Sequence, residues 1–369
     1  MLRTYRYETI AQDLRQQILA GLLVPQQRLP SERTLMQRFA VQRDTVRRAL
    51  GLLEAEGWVI TEQKRGSFVA PVRPVPPPAA IAATTGTFLV VTARNAGSTA
   101  LESILRGLSG RSDAAGASIQ YYDSNPLPGR MLHELPSLEF LQENQIAGVL
   151  LWPQSPSDIE SLCRLRGAVP LLLVDQRLMG FEADFIGFDD ISGGRLVTEH
   201  LLRLGHRRIG FLGDEVFAET VQLRWRGYSL ALEAAGIPLD SADLLLFNGM
   251  QDPPLNDYLR LFLAGRGRPL TAVVCSNDST ALRLLRTLRA EGRRVPDEVA
   301  VTGYGDLLPS TMDAHGLTTV SQPFEALGKA ARDLLVSRLG GSSPPGYQQI
   351  ALPVSLIVRA STGSETGSA

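Results

Sequence analysis

The sequence predicts an α/β protein with two parallel sheets, preceded by a small domain of helices and a hairpin. From residue 87 to about residue 360, short apolar runs alternate with amphipathic helical segments. Repeated strand–helix units with continuous apolar strands are typical of parallel sheets that are covered on both faces. Residues 1–70 lack this alternation, and a proline-rich stretch at 71–86 separates the two patterns. We therefore expect two structural parts joined by a linker.

The charge distribution separates the same two parts. The 369 residues are 44% hydrophobic and 20% charged, and the net charge is −1. Residues 1–70 contain eleven Lys and Arg against seven Asp and Glu, a charge of +4 that leaves −5 for the rest. A basic head on an acidic body fits a head that contacts a polyanion.

Several classes of protein are disfavoured. Cys163 and Cys275 lie within apolar runs and indicate neither a disulfide nor a metal site. No apolar run reaches the length of a membrane span, and the N-terminus does not resemble a signal peptide, so we expect a cytoplasmic protein with no membrane partner. P-loop, HExxH and GxSxG motifs are absent, and we predict no catalytic residue and no cofactor.

Three helices are predicted in the head. The first covers residues 9–21, where apolar residues recur at helical spacing. Residues 29–50 contain two more, joined by a turn at Ala40 and Val41, with Ser31 as the N-cap of the earlier one. The last helix has one apolar face and carries Arg43, Arg47 and Arg48 on the other. The arginines suit major-groove reading, because guanidinium groups reach guanine edges or phosphates. A solvated charged helix is the alternative.

A hairpin is predicted to follow, with strands at 58–62 and 67–71. Its tip carries Lys64 and Arg65, and Gly66 would let the backbone approach a phosphate closely. Three helices and a basic hairpin predict a winged helix-turn-helix that binds double-stranded DNA.

The head resembles the DNA-binding domain of the GntR family of bacterial regulators. The segments PQQRLPSER, VQRDTVRRAL and RGSFV match the family's pattern, and the likeness covers nearly all of residues 5–70. It implies operator contacts by Arg33, Arg43, Arg47 and Gly66, with Thr45 contacting a phosphate. Lys64 and Arg65 complete the predicted DNA-binding set.

Three positions depart from the family's pattern. Gln26 replaces a usual glycine, Gln42 replaces the serine that caps the recognition helix, and Asp44 replaces a neutral residue near the bases. A carboxylate at that place would repel phosphate but can accept from a cytosine amino group. We therefore expect an operator that differs from those of typical relatives.

The linker at 71–86 is predicted to be extended and polyproline-like; a proline-rich ligand for another protein is the alternative.

Strands are then predicted at 88–93, 118–122, 147–152, 171–175, 185–188, 209–213, 244–247, 272–276 and 299–303, with short strands within 348–358. Helices are predicted at 100–108, 132–142, 159–166, 193–204, 219–235, 254–264, 280–291 and 324–339. A region of this length favours two sheets, with a ligand cleft between two lobes. Residues 361–369 are expected to be a disordered tail.

Residues 87–360 resemble the sensor domain of the LacI/GalR repressors, which has the periplasmic-binding-protein fold. The segments HLLRLGHRRIGFLGD, RWRGYSLALEAAGIP, TAVVCSND, RVPDEVAVTGYGD and LTTVSQPFEALGKAA carry the likeness. A GntR head on such a sensor is similar in architecture to the arabinose-type repressors. The resemblance implies that Trp152, Asp175, Arg224, Asn277 and Gln322 bind the effector.

The chemistry of these residue types agrees with that role. Arg224 can clamp vicinal hydroxyls or a carboxylate, and Asn277 offers a donor and an acceptor together. Asp175 can accept from hydroxyls, and Trp152 can stack on a ring. Two alternatives stay open: Asp175 caps a turn, or Trp152 belongs to the core.

Two further positions bear on the ligand. Asp278 is interpreted as the cap of the helix that follows it and is left out of the site. Gly305 stands where many sugar-binding relatives carry an aspartate that grips hydroxyls, so a simple pyranose is a less secure prediction for this chain.

The sequence thus predicts a homodimeric transcriptional repressor whose operator binding is controlled by a sugar or sugar derivative. Whether the effector releases or tightens operator binding is left open. An aminotransferase body, found behind some GntR heads, needs a pyridoxal lysine, but Lys64 is on the wing and Lys329 in a helix. A transport binding protein would share the sensor fold but would have a signal peptide and no DNA-binding head.

Overall fold

The computed structural model describes most of both parts of the chain. The described residues are 7, 10, 11, 13, 14, 17 and 23, and the ranges 26–39, 41–55, 58–62, 65–69, 86–92, 98–109, 118–124, 135–153, 159–215, 218–247, 254–265, 267–307 and 316–363. Most of the predicted linker, 71–85, lies outside them, as does Lys64.

The head is a winged helix-turn-helix, as predicted. Helix α1 (Glu32–Phe39) and helix α2 (Arg43–Ala55) are followed by the wing strands β1 (Val59–Glu62) and β2 (Gly66–Val69), which pair antiparallel. Ser31 caps α1, since the Thr34 N–H donates to its Oγ at 3.2 Å. Of the first predicted helix, the described residues 10, 11, 13, 14 and 17 are helical, and so is residue 7, which precedes the predicted start. The core of the head contains Ile10, Leu14, Leu35, Val46, Ala49, Leu53 and Val59.

The segment before α1 lies along the wing. The Gln26 N–H donates to the Val69 carbonyl at 3.0 Å, and the Val69 N–H donates to the Gln27 carbonyl at 2.9 Å. Arg28 forms an antiparallel bridge with Phe68. The wing is therefore fastened to the start of the helix-turn-helix by backbone hydrogen bonds, an arrangement that the apolar pattern of the sequence did not indicate.

The first lobe is built on a six-stranded parallel sheet in the order β13-β7-β6-β5-β3-β4. Its strands are β3 (Thr87–Thr92), β4 (Ile119–Asp123), β5 (Ile146–Leu151), β6 (Leu171–Val174), β7 (Asp184–Phe188) and β13 (Gln349–Leu352). Helices α3 (Ser98–Leu108) and α10 (Phe324–Leu339) cover one face, and α4 (Leu138–Glu143) and α5 (Ile159–Ala168) cover the other. The central strands β3, β5, β6 and β7 are buried on both faces, which explains why they are mostly apolar, whereas the edge strands β4 and β13 are partly exposed.

The second lobe has a six-stranded sheet in the order β14-β12-β11-β10-β8-β9, parallel except for β14. Its strands are β8 (Ile209–Gly213), β9 (Leu244–Leu246), β10 (Ala272–Cys275), β11 (Ala300–Gly305), β12 (Thr318–Ser321) and β14 (Ser355–Ile357). Helices α6 (Asp190–Arg203) and α7 (Glu219–Ala234) cover one face, and α8 (Pro254–Ala264) and α9 (Asp278–Ala290) the other.

The chain crosses between the lobes three times, from β7 to α6, from β12 to α10 and from β13 to β14. Helix α10 follows a strand of the second lobe, yet Phe324, Leu327 and Ala331 lie in the core of the first. Each sheet presents the carboxyl ends of its parallel strands to the crossings, which is where ligands bind in such sheets.

Three details of the predicted secondary structure are wrong. Strand β12 was not predicted. The helix predicted at 132–142 begins at Leu138, because Ser137 is its N-cap and its Oγ accepts from the Phe140 N–H at 3.1 Å. Pro136 also disfavours helical backbone at the residue before it. Helix α6 begins three residues earlier than predicted, with Asp189 as its N-cap.

The predicted disordered tail begins too early. Residues Ala360–Thr362 form a 3₁₀ turn in which Ser361 and Thr362 are buried. The Ser361 Oγ accepts from the Thr318 N–H at 2.8 Å, and the Thr362 Oγ1 lies 2.9 Å from the His200 Nε2. Residues 361–363 therefore belong to the second lobe, and residues 364–369 are outside the described part.

None of the helices in the described ranges is both long enough and apolar enough to cross a membrane.

Candidate functional site

The recognition-helix arginines are held by one carboxylate. The Arg43 Nε donates to the Glu32 Oε2 at 2.6 Å, and the Arg47 Nε donates to the Glu32 Oε1 at 3.2 Å. The hydrogen bond from Arg43 is the main cause that holds the pKa of Glu32 below its ordinary value. Arg33 is exposed nearby and Thr45 is half-buried. Glu32 thus joins α1 to α2 and restricts both guanidinium groups at an exposed surface.

The guanidinium of Arg28 lies close to the wing tip, in addition to that of Arg65. Gly66 has φ +109°, and a Cβ there would lie 3.2 Å from both Nε and Nη2 of Arg28. Arg65 is exposed, and its guanidinium lies 5.9 Å from the centre of the Phe68 ring. The glycine is therefore needed by the fold of the wing itself, in addition to any approach to DNA. Arg28 was counted in the basic head but was not singled out from the sequence.

Trp152 and Asp175 meet at the carboxyl ends of β5 and β6. The Trp152 Nε1 donates to the Asp175 Oδ2 at 3.1 Å. Trp152 is also in the core of the first lobe, with its ring 6.1 Å from that of Phe324. Asp175 accepts no hydrogen bond from a described backbone N–H, so the turn-capping alternative has no support there. Its other oxygen, Oδ1, is buried and has no partner among the described residues.

The environment of Asp175 disfavours its charge. Burial raises the pKa of this carboxyl group to about 6, the negative charge of Asp190 adds to the increase, and Arg224 and the hydrogen bond from Trp152 oppose it. A buried acceptor oxygen without a partner is costly, and in native structures such an atom is satisfied by an ordered water or an ion, or has a functional role.

Arg224 is part of a buried network in the second lobe. Its Nε donates to the Asp190 Oδ1 at 2.7 Å, its Nη1 donates to the Ser276 carbonyl at 2.8 Å, and its guanidinium carbon lies 3.9 Å from the centre of the Tyr304 ring. The Tyr304 hydroxyl also interacts with this guanidinium. Arg224 was predicted as a clamp for the ligand; most of its guanidinium is instead committed to the protein.

Close approach of α6 and α7 makes this network possible. A Cβ at Gly194 would lie 2.1 Å from the Arg224 carbonyl oxygen, and a Cβ at Gly227 would lie 2.1 Å from the Ile191 carbonyl oxygen. Both helices therefore require glycine where they meet, which brings Asp190 and Arg224 together.

Asn277 is the N-cap of α9. Its backbone is extended and its Oδ1 accepts from the Thr280 N–H at 2.8 Å. The interpretation of Asp278 as the cap is therefore wrong, because Asp278 is already helical. Its carboxylate accepts instead from the Thr319 Oγ1 at 2.6 Å and from the Leu307 N–H at 3.0 Å. Capping uses the side-chain oxygen Oδ1 of Asn277, so the side-chain nitrogen Nδ2 is not needed for the cap.

Two more buried polar groups lie at strand ends. Gln322 directly follows β12, is 8% exposed, and its Nε2 has no partner among the described residues. Thr92 ends β3, is fully buried, and its Oγ1 likewise lacks a described partner. Thr92 is on the same sheet face as Val90, which packs in the cluster that contains Trp152. The sequence reasoning missed Thr92, since a threonine closing an apolar run carries no distinctive signal.

The loops after the strands contain strained acidic residues. Five non-glycine residues of the described part have a positive φ, and three of them are Asp175 (65°), Glu215 (55°) and Asp306 (55°). They follow β6, β8 and β11, respectively. The Asp306 Oδ1 is paired with the Arg359 Nη2 at 2.8 Å. Gly305 has φ +124°, so an aspartate at this position would require strained backbone.

The structure thus relates the predicted site residues to one another. Trp152 and Asp175 are in direct contact, and Asp175 is within electrostatic range of Arg224. Arg224 bonds to the residue before Asn277. Gln322 is two residues before Phe324, whose ring is close to that of Trp152. All except Arg224 lie at the carboxyl ends of parallel strands.

Comparison with known proteins gives matches to both parts of the chain. The family described as "Bacterial regulatory proteins, gntR family" matches residues 6–69, and the family described as "Periplasmic binding protein-like domain" matches residues 198–362. These matches agree with the two parts expected from the sequence.

Curated relatives are similar over nearly the whole chain. The arabinose metabolism transcriptional repressor of Halalkalibacterium halodurans is 30% identical over 370 residues, which cover 97% of this chain and 96% of that protein. The repressor of the same name from Geobacillus stearothermophilus is 28% identical and covers 97% of each. Among solved structures, the transcriptional regulator CelR in complex with cellobiose superposes with a TM-score of 0.62 at 25% identity, over 86% of this chain and 90% of that one.

Proposed function

This chain belongs to the family of transcriptional repressors that join a GntR-type winged helix-turn-helix head to a LacI/GalR-type sensor, and we propose that its effector is a sugar or sugar derivative bound between the two lobes. It is a DNA-binding transcriptional regulator controlled by a small molecule. One observation supports the site most strongly: at the strand ends of both lobes, buried polar atoms of Asp175, Gln322 and Thr92 have no hydrogen-bond partner among the described residues. A polyhydroxylated ligand would satisfy such atoms.

The proposed effector site consists of Trp152, Asp175, Arg224, Asn277 and Gln322. The relatives named arabinose metabolism repressors and the CelR–cellobiose complex support a saccharide. These relatives are transcriptional regulators rather than enzymes, and we propose no catalytic activity for this chain. We also propose that it acts in the cytoplasm as a homodimer. Closure of the cleft would then shift the two heads relative to half-sites placed a whole number of helical turns apart.

Thermal-shift measurements on the full chain test the effector. The panel consists of neutral sugars, sugar phosphates, nucleosides and small acids. A ligand that binds only the folded state stabilises it by about 2.7 kcal/mol at a hundred times its dissociation constant. We expect a sugar or sugar derivative to raise the melting temperature and to change operator affinity. A panel in which only nucleosides or small acids stabilise the protein would contradict a sugar effector.

The proposed operator contacts are Arg33, Arg43, Thr45, Arg47, Lys64, Arg65 and Gly66. The exposure of the four arginines and the bonds of Arg43 and Arg47 to the shared carboxylate of Glu32 support this surface. Arg43→Ala is expected to reduce discrimination between operator and random DNA by about 1–3 kcal/mol, the usual contribution of a bidentate base contact. Fluorescence anisotropy with an operator selected from a random duplex library measures both affinities.

Arg38→Ala is the matched control, because Arg38 is also an exposed arginine paired with a carboxylate, that of Asp13 at 3.1 Å, but it lies on α1 and not on the recognition helix α2. It should leave discrimination unchanged. If Arg43→Ala lowers operator and random-DNA affinity by the same factor, Arg43 contacts phosphate and does not read a base.

A further inference from the structure

We propose that Glu215 is an effector-binding residue of the second lobe, and that Glu215 and Asp175 together restrict the effector to neutral, polyhydroxylated molecules. The inference rests on the proposed function, because it takes the cleft between the lobes as the effector site. Glu215 was not among the residues predicted from the sequence.

The backbone places Glu215 at the same edge as the other site residues. It lies two residues after β8 and has a left-handed φ of +55°. Its N–H donates to the Asp214 Oδ1 at 2.8 Å, and the Asp214 N–H donates to the Ser276 Oγ at 3.2 Å. Ser276 in turn accepts from Arg224 through its carbonyl. These bonds hold a strained turn beside the buried arginine, and such strain clusters at ligand sites.

The Glu215 carboxylate has no hydrogen-bond or ion-pair partner in the part of the chain that the structure describes. The nearest cation of the site, Arg224, is already bonded to Asp190 at 2.7 Å. Glu215 also lies close enough to Asp175 for its charge to contribute to the raised pKa of that residue. Glu215, an exposed residue of the second lobe, is therefore within electrostatic range of Asp175 of the first lobe, and Arg224 acts on both acids.

The balance of charge decides the class of ligand. Asp175, Asp190 and Glu215 surround one arginine. The other cations nearby are paired elsewhere, Arg177 with Glu219 at 3.4 Å and Arg359 with Asp306 at 2.8 Å. A phosphate or carboxylate would add a negative charge beside the buried acids Asp175 and Asp190 and the more exposed Glu215, and such a charge is less favourable next to buried acids than in water.

Hydroxyl groups match the polar atoms that lack partners. Asp175 Oδ1 and the Glu215 carboxylate can only accept when ionised, whereas Gln322 Nε2 can only donate. A hydroxyl donates and accepts, so neighbouring hydroxyls of one sugar can satisfy both kinds of group. An ammonium group in place of the hydroxyl that meets Gln322 could only donate, so it would satisfy a carboxylate but leave the Gln322 amide without an acceptor.

Isothermal titration of the full chain tests the proposal. The probes are L-arabinose, D-ribose, D-galactose and cellobiose, with ribose 5-phosphate, galacturonate and galactosamine as charged counterparts. We expect at least one neutral sugar to bind, and its anionic counterpart to bind at least about a hundredfold more weakly. Glu215→Gln should weaken the neutral sugar about tenfold and narrow the difference between neutral and anionic ligands.

Glu233→Gln is the control, because Glu233 is an exposed residue of the neighbouring helix α7, and it should leave all affinities unchanged. Selectivity of the wild-type chain is measured independently of any variant, so a misfolded Glu215→Gln protein does not remove the test. Tighter binding of an anionic or cationic ligand, with an accompanying change in operator affinity, would overturn the inference while leaving the proposed function in place. An absence of binding by every member of the panel would overturn both.

Discussion

Gln26 has a left-handed backbone, with φ +65°. Relatives resembling this head usually carry glycine here, and glycine adopts that conformation without the steric cost of a Cβ. We expect Gln26→Gly to raise the free energy of unfolding of the head by about 0.5–1 kcal/mol, because relief of the steric cost exceeds the added freedom of the unfolded chain. Chemical denaturation followed by circular dichroism measures the change.

Gln27→Gly is the control for that substitution. Gln27 is the next residue, is also exposed, and is not among the residues with a positive φ. Glycine there should destabilise the head by about 0.5–1 kcal/mol. If Gln26→Gly raises and Gln27→Gly lowers the free energy of unfolding, the backbone angle is the cause. Changes of the same sign would refute this explanation.

Arg224 shows the limit of sequence reasoning for a single side chain. The sequence pattern predicts that Arg224 lies on a helix, and the resemblance of the sensor domain to the LacI/GalR repressors implies that it binds the effector. Its bond to Asp190, 34 positions away, depends on the approach of two helices at Gly194 and Gly227. Pairwise contacts of this kind are set by tertiary packing and leave no periodic signal in either helix.

The 3₁₀ turn Ala360–Thr362 stabilises the second sheet through hydrogen bonds to strands β11 and β12. Ser361 Oγ donates to the Val301 carbonyl at 2.6 Å and accepts from the Thr318 N–H, and Thr362 Oγ1 lies 2.8 Å from Thr318 Oγ1. Removal of residues 360–369 would take away the partner that Ser361 provides to the Thr318 N–H and the Val301 carbonyl, each at a cost of about 1–3 kcal/mol. We expect the melting temperature to fall markedly, as measured by calorimetry.

The matched truncation removes residues 364–369 and keeps the turn. It should have the melting temperature of the full chain. Equal losses in the two truncated proteins would mean that the turn contributes nothing beyond the residues that follow it.

Most elements follow from the sequence because their apolar runs are continuous, and β8 and α8 have the predicted bounds. Strand β12 was missed because its run, Thr318–Ser321, is mostly threonine and serine. Its hydroxyls become acceptable in the core only through partners from distant segments, such as Asp278 for Thr319. A strand whose burial depends on such bonds cannot be recognised from hydrophobic pattern alone.

The meeting of the lobes at Asp175 makes ligand binding dependent on pH. The pKa of this carboxyl group is raised to about 6, and a hydroxyl donor binds its ionised form. We expect the affinity for a neutral sugar to rise about tenfold from pH 5 to pH 7, since the ionised fraction of such a group changes by about that factor. Titration calorimetry across this range measures the effect.

Asp190, Glu215 and Arg224 face Asp175, and burial raises the pKa of both other acids. Asp175→Asn therefore isolates the part due to Asp175 and should flatten the profile. The stability of the ligand-free protein depends on pH in the opposite direction. Because the pKa of Asp175 is higher in the folded than in the unfolded chain, its contribution to the free energy of unfolding falls as pH rises from about 4 to about 6. An affinity that does not change with pH in the wild-type chain would contradict the assignment.

The three crossings have a consequence for synthesis on the ribosome. The head can fold soon after its first 70 residues emerge, because all of its strands and helices are local. The first sheet cannot be completed in this way, since β7 pairs with β13, from Phe185 with Gln349 to Phe188 with Leu352. The edge of β7 therefore stays open while more than a hundred and fifty further residues are translated. During part of every round of translation, we therefore expect a nascent chain whose head is folded and able to bind DNA. The sensor of that chain is still incomplete and cannot yet bind the ligand.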